Sequence, residues 1–379
     1  MKRLLFTFLA LCLAVAGSAQ SGQMTSKLPT IDITKEYPKK KLVLQDIATA
    51  EYIPLETSDK VLLDGVATLH CSFTEHYITT YNANEGQIFV FDRKGKICHT
   101  FNHKGGSGEE YNYPLQLRLD EKAKELFLLD ISNKIQVYSI EGKYKRSLSI
   151  PKDVRIEIMY NCDEQHLLGY DSYMLDRKDK QPNSRPYLLI SKKNGAVSRL
   201  PVTIHKRVGK RIYITQGGQT ATLYPLANSG SEFIFADLAG DTVYSYCNHK
   251  LTSLFVRTPK ADASEPRLVM QCYAKIGNYL LMSTALKKYE PGKTSFDTKE
   301  FVYDTVEKKE FENQDYSPAR SMRMGGVLSA LPEKCVFDSW DTDRLLDMLE
   351  KGKLTGNLKK VAEKMTVDDN PLLILYKFK

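Results

Sequence analysis

One phrase recurs along the chain: a run of β-forming residues ending in an aromatic or aliphatic side chain, then a polar turn and another short run. It reads Ile88-Phe89-Val90-Phe91 before Asp92-Arg93-Lys94-Gly95-Lys96, and Ile135-Gln136-Val137-Tyr138 before Ser139-Ile140-Glu141-Gly142-Lys143. It returns as Tyr187-Leu188-Leu189-Ile190 before Ser191-Lys192-Lys193-Asn194-Gly195, and as Val243-Tyr244-Ser245-Tyr246 before Cys247-Asn248-His249-Lys250. Phe301-Val302-Tyr303 before Asp304, and Leu372 to Tyr376, complete the set. With Phe91, Tyr138, Ile190, Tyr246, Tyr303 and Tyr376 as equivalents, the spacings are 47, 52, 56, 57 and 73 residues. A period of about 50 with turn-bounded strands is the size of one propeller blade, a four-stranded antiparallel sheet.

The expected fold is therefore all-β: a six-bladed β-propeller in which each phrase supplies a third strand and its turn opens a hairpin into the fourth. Glu125 to Asp130 and Glu232 to Asp237 read as the strands before it, each ending in Asp at a short polar turn. In blade six the third strand, Leu372 to Phe378, leaves only Lys379 after it. An unpaired outer edge would expose free N–H and C=O groups. Two strand-like runs, Lys41 to Leu44 and Ala50 to Leu55, precede blade one. The expectation is that this N-terminal strand closes the last blade, with Pro54 tolerated at an edge. The long final spacing is assigned to a small helical insert at about 341–365. There Leu345, Leu346, Met348, Leu349, Leu354, Leu358, Val361 and Met365 recur at helical intervals, with Asp341 or Thr342 as cap. It is read as covering an otherwise exposed sheet face.

Residues 1–19 have the layout of a secretory signal peptide. Lys2 and Arg3 precede an apolar run from Leu4 to Ala16, and Gly17, Ser18 and Ala19 follow. That run makes roughly 20 Å of helix, too short to span a bilayer. Cleavage is expected near Ala19, leaving residues 20–379 as the propeller domain. A lipoprotein box at Cys12 is the weaker alternative, because Leu11 is large where such a box takes a small residue. The protein is thus expected to be exported, to the periplasm or cell surface, without spanning the membrane, and to be a monomer. The formal net charge is +8, and loss of Lys2 and Arg3 leaves +6. That excess is small, and Lys39-Lys40-Lys41 and Lys206-Arg207…Lys210-Arg211 are read as solvated turns and edges. No nucleic-acid partner is expected. Cys71, Cys98, Cys162, Cys247, Cys272 and Cys335 are scattered without a C-x-x-C, and several are read as small buried hydrophobes.

Four segments resemble a known family, the six-bladed β-propeller proteins exported by gut-type bacteria, relatives of NHL-repeat and TolB-like propellers. Ile53-Pro54-Leu55-Glu56-Thr57 resembles its opening I-P-L-E-T, and Phe91 to Lys96 its F-D-x-x-G-K. Lys104 to Tyr111 resembles its G-x-G-P-G-E-Y loop, departing from it around Glu109. Asn370 to Lys379 resembles its terminal N-P-x-L-x-x-Y-x-L-K. The resemblance covers both ends and blade one. It implies the fold and export, an association with carbohydrate use, and no settled chemistry.

Candidate chemistry is sparse. Gly105 to Gly108 can form an anion nest, but no Gly-Lys-Ser/Thr follows, so a P-loop is excluded. The loop is read as a connection between blades, held by Glu110 and Tyr111. His99 and His103 are too far apart along a strand to share an ion, and the seven histidines are read as surface residues. Tyr77 to Tyr81 and Tyr111 to Tyr113 can stack on sugars but are read as packing between blades. Catalytic and ligand-binding residues are unknown, and no metal site or cofactor is expected. The leading reading is a secreted noncatalytic binding or scaffold module for a glycan, peptide or partner protein. The alternative is a calcium-dependent, lactonase-like hydrolase or lyase with Asp120, Asp130, Asn161, Asp171 or Asp237 as ligands in the central channel.

Overall fold

The structure is a computed structural model, described for residues 28–40, 48–172, 184–208, 211–213, 220–230, 232–288, 298–313 and 335–378. The leader, Cys12 and Lys41 to Leu44 lie outside the described residues. Six blade sheets follow one another along the chain, each built from strands paired antiparallel in order from the inside outward, and a two-stranded sheet of Arg211–Tyr213 and Thr220–Thr222 lies between the third and the fourth in sequence. Blade one comprises Ser72–Phe73, Tyr77–Asn82, Gln87–Asp92 and Ile97–Asn102. Blade two comprises Pro114–Asp120, Glu125–Asp130, Ile135–Ser139 and Tyr144–Leu148. Blade three comprises Ile156–Asn161, His166–Asp171, Tyr187–Ser191 and Val197–Arg199. Blade four comprises Leu226–Ser229, Glu232–Phe235, Thr242–Cys247 and Lys250–Thr258, and blade five Leu268–Ile276, Tyr279–Leu286, Thr298–Asp304 and Lys309–Asn313. In blade six the described strands are Cys335–Trp340, Leu372–Phe378 and Ala48–Pro54. Five of the six residues aligned by the sequence repeat fall in third strands, and Tyr376 lies in the middle one of the three described strands of blade six.

The phrases are almost continuously apolar because both faces of each blade are buried. On the third strand of blade one, Phe89 and Phe91 pack toward blade six, against Leu373 and Leu375. Their alternates Ile88 and Val90 pack toward blade two, against Leu126, Leu128 and Tyr138. A period of two thus sorts residues between two wedge-shaped interfaces rather than between core and water. Cys71 and Cys272 sit in such interfaces as small apolar groups.

Ring closure is as expected. Ala48–Pro54 pairs antiparallel with Leu372–Phe378 over seven residue pairs, from Leu372 with Pro54 to Phe378 with Ala48. Asn370 locks this seam. Its Nδ2 donates to Glu56 O at 2.7 Å and Val61 O at 2.8 Å, and its Oδ1 accepts from Leu63 N at 2.8 Å. Its own N–H reaches Thr57 Oγ1. The opening and terminal motifs are therefore two halves of one clamp. Gly95 supplies the third contact: its carbonyl accepts from Glu56 N, and at φ +84° a Cβ there would lie 2.1 Å from Pro54 O.

The sequence reading missed a strap ahead of this strand. Thr30–Asp32 adds in parallel to the outer strand of blade four, and Lys39–Lys40 to that of blade five. Ile31 and Ile33 are buried at the interface of blades four and five, where Tyr37 stacks near Phe301 at 5.4 Å. The strap covers two outer edges that would otherwise be open.

The insert forms two helices, α1 (Thr342–Glu350) and α2 (Gly356–Ala362), between the strands Cys335–Trp340 and Leu372–Phe378 of blade six. Leu345, Leu354 and Ala362 pack on Leu372 and Ile374, so the insert covers a sheet face. Asp341 occupies the cap position of α1 without a side-chain cap bond, whereas Thr342 Oγ1 donates to Val367 O.

Two outcomes test the closure. Deleting residues 42–57 should remove the single cooperative urea transition of the whole disc. Asn370→Ala, which strands Leu63 N and Val61 O in the interior and frees the half-buried Glu56 O, should lower unfolding free energy by about 2–5 kcal/mol.

Candidate functional site

Strand direction divides the disc into unlike ends. First strands start, and second strands end, on what is here the upper face. The connections between blades, and those between second and third strands, meet there. Among the described residues they include 55–71, 103–113, 184–186, 200–208, 223–225 and 341–371. At the opposite end the hairpins between first and second strands are four residues or fewer. Long connections are where a rigid scaffold carries recognition residues.

The upper face is uneven. Leu62 and Val66, on the connection from blade six to blade one, are exposed. So are Ile131 on blade two, Leu286 on blade five and Val367 on blade six. Blades five, six, one and two are consecutive around the ring, so these side chains follow one arc. Blades three and four carry a polar cluster instead. Tyr170 Oη donates to Asp237 Oδ2 at 2.7 Å, Arg207 lies over the Tyr170 ring at 5.2 Å, and Arg199 pairs with Asp171 at 2.8 Å. Burial is the main cause that pushes the Asp237 carboxyl above its ordinary range, against the nearby Arg207 charge. Arg207 is thus half-buried and partnered, contrary to the solvated turn expected for it.

The candidate acids have separate duties. Asn82, Asp130 and Asp171 end the second strands of blades one to three. Each accepts backbone N–H bonds from the connection arriving from the preceding blade: Asp64 N on Asn82, Asn112 and Tyr113 N on Asp130, Arg155 N on Asp171. Asp237, in blade four, holds Ala239 N and Tyr170. Asp120 is at the other end of its blade, in a buried pair with Lys192 at 2.6 Å. Asn161 ends the first strand of blade three. Among the described residues no three His, Cys, Asp or Glu side chains are grouped to hold a metal ion.

The other motifs resolve into packing. Ser107 N donates to Glu110 Oε2 at 2.7 Å, and a Cβ on Gly105 would meet that carboxylate, so the loop's own acid fills its nest. Tyr111 Oη donates to Gly86 O and Tyr138 Oη to Glu109 O. Tyr81 and Tyr111 are buried between blades one and two, with Tyr77 and Tyr113 packed beside them. Two histidines are not surface residues as expected: His70 stacks on Tyr81 at 4.5 Å and His103 on Tyr138 at 5.3 Å. Burial, more than the Arg118 charge, holds the His70 ring below its ordinary pKa.

The channel wall contains groups the sequence reading did not single out. Both the N–H and C=O of Met159, on the first strand of blade three, bond to side chains of blade two: Gln116 Oε1 at 2.8 Å and Arg118 Nε at 2.8 Å. Gln116 Nε2 also donates to Glu157 O at 2.6 Å. Those backbone groups lie on the strand's unpaired inner edge, so Gln116 and Arg118 staple adjacent blades along the channel. The pattern was legible: Gln116, Arg118 and Asp120 alternate with Leu115, Leu117 and Leu119 in a strand that otherwise reads as core.

Ion pairs link the blades at the lower end, where Lys122 meets Glu164 and Lys275 meets Glu232. Glu125 is held by a bidentate Arg146 at 2.7 Å to each oxygen and by Lys145. These bonds lower its pKa from 4.5 to about 2. A depressed carboxylate stabilises the fold above its unfolded value and loses that contribution as pH falls through the folded one. The difference in urea midpoint between wild type and Glu125→Gln should therefore be constant above about pH 5 and vanish near pH 2. Lys192→Met alone, which leaves the buried Asp120 uncompensated, should cost about 3–5 kcal/mol in urea unfolding. Adding Asp120→Leu should recover most of it.

Among solved structures, the chain is similar to a protein of Bacteroides fragilis described as exported, with 11% identity, 93% of this chain and 100% of that one covered, and a TM-score of 0.63. A member of the DUF4221 family from Bacteroides vulgatus aligns at 9% identity over 88% and 97% of the two chains, with a TM-score of 0.49. The first is a likeness of fold. No match is found among curated proteins. Residues 28–377, which span the strap, all six blades and the closing strand, match the family described as Domain of unknown function (DUF4934), and the chain belongs to that family.

Proposed function

We propose that this chain is an exported, noncatalytic binding propeller whose upper face docks a partner protein. The observation that carries the reading is the arc of exposed Leu62, Val66, Ile131 and Val367 on upper-face connections, joined by Leu286 at the upper end of the second strand of blade five; the exposed Val306 stands apart on the opposite end of that blade. Exposed apolar side chains gathered on one side of a rigid body mark interaction surfaces. The arc is aliphatic. Among the residues whose side chains are described no Tyr, Phe or Trp is exposed, and Trp340 is engaged with Asp338 and with Arg344 at 4.3 Å. A sugar-binding face would present aromatic platforms, so a protein surface is the better fit. The acids considered as channel ligands serve as pins and ion pairs, which favours binding over metal-dependent hydrolysis. Export rests on the leader pattern of residues 1–19 and on the description of the Bacteroides fragilis protein. No described helix is long and apolar enough to cross a membrane.

Photo-crosslinking residues placed at Ile131 and Val367 in the producing cells should capture one common protein, and those at Lys122 and Glu164 on the lower face should not. Ile131→Asp with Val367→Asp should abolish capture from Leu62 while changing stability by only about 0.5 kcal/mol. Equal capture from both faces would refute the reading.

A further inference from the structure

The sequence from Lys180 to Ser231 holds nine Lys or Arg and no Asp or Glu. Lys192 and Lys193 belong to the lower hairpin of blade three. Arg185, Arg199, Lys206 and Arg207 are at its upper end, on or beside the connections there. Lys180, Lys210 and the side chain of Arg211 lie outside the described residues.

Hydrogen bonds join these cations to one another and to their neighbours on the same face. Arg199 Nη1 donates to Arg185 O at 2.7 Å, and Arg199 Nη2 pairs with Asp171 at 2.8 Å. Arg207 donates to Asp171 O. Toward blade five, Arg267 Nη1 donates to Lys206 O at 3.2 Å, and Lys206 pairs with Asp262 at 3.5 Å. The half-buried Arg199 and Arg267 thus fix the backbone of the exposed Arg185 and Lys206, and Lys260, two residues before Asp262, is exposed beside them. The same network meets both ends of the aliphatic arc. Arg155 Nη1 donates to Ile131 O at 3.0 Å. Lys287, whose N–H donates to Arg267 O at 2.8 Å, follows Leu286. Cations over blades three and four therefore continue the rim where the arc stops. Of the described acids from Asp171 to Glu265 on this face, Asp171 and Asp237 are buried, Asp241 accepts from Ala261 N, and Asp262 and Glu265 face Lys206 and Arg267.

We propose that the upper face of blades three and four docks an acidic stretch of the partner protein whose apolar side chains meet the arc, a proposal that rests on the reading of the arc given above. An arginine fork matches a carboxylate, and clustered charges of one sign steer an oppositely charged partner onto the surface. Side chains carried on a fixed backbone lose less freedom on binding. A sulfated sugar matches the cations but offers nothing to the aliphatic arc. A lipid surface matches both, yet faces that touch a membrane carry Trp and Tyr, and no Tyr, Phe or Trp is exposed among the residues whose side chains are described.

The test uses the chain without its leader and a fluorescein-labelled decapeptide of glutamate, followed by anisotropy. The peptide should bind, and more weakly as salt rises. Arg185→Glu with Lys206→Glu and Lys260→Glu should weaken it about tenfold or more. Lys94→Glu with Lys193→Glu and Lys250→Glu, exposed on the lower face and equal in charge change, should leave it within about twofold. Both variants should unfold at the wild-type urea midpoint. Equal loss in the two variants, or tighter binding of a heparin fragment or of phosphatidylglycerol vesicles that the upper variant abolishes, would overturn the proposal. In the producing cells, photo-crosslinked capture from Val367 should fall about fivefold in the upper variant. Unchanged capture would overturn the acidic dock and leave the arc standing. No capture from Val367 in the wild type, with the glutamate peptide still separating the two variants, would refute the arc and leave the acidic dock supported.

Discussion

The fold depends on one seam, the pairing of Leu372–Phe378 with Ala48–Pro54. A ring of blades has no stable open form, because each blade buries one face against the next and an open ring leaves two apolar faces bare. The seam places Leu373 and Leu375 against Phe89 and Phe91, so the apolar wedge is continuous across the chain ends. Asn370 adds specificity to that seam. Three of its side-chain hydrogen bonds reach the segment between blade six and blade one, and they fix the path by which the closing strand becomes the first connection. The strap on blades four and five extends the same logic outward, using parallel additions to protect edges that closure leaves open.

Within the closed ring, polar side chains settle the spacing of the blades. Asn82, Asp130 and Asp171 each tie down the connection that enters their blade. Gln116 and Arg118 cap the inner edge of blade three. An acid at the end of a strand resembles a metal ligand in a sequence, but here the carboxylates are engaged by backbone N–H groups and, at Asp171 and Asp237, by Arg199 and Tyr170.

Much of the fold was legible from particular residues. The equivalent positions from Phe91 to Tyr303 mark third strands, and Tyr376 the central described strand of blade six, because a blade buried on both faces needs an unbroken apolar run there. The closing strand was legible because a third strand at the chain end demands a partner. The strap was not: Thr30–Asp32 and Lys39–Lys40 are too short and too mixed in character to signal a strand. Their conformation comes from the open edges they meet. His70, His103 and Arg207 were likewise misplaced as surface residues, since stacking on Tyr81, Tyr138 and Tyr170 is a contact between distant segments.

The sequence by itself determined blade number, closure and the location of the insert, because these follow from local periodicity and from the rule that edges must be paired. Tertiary structure alone decided which polar groups are satisfied. Asp120 paired with Lys192, and Arg118 bonded to the carbonyls of Met159 and Leu117, are indistinguishable as letters in a strand. Whether a buried charge is compensated depends on what neighbouring blades bring within a few ångströms, and that proximity arises only when the ring closes.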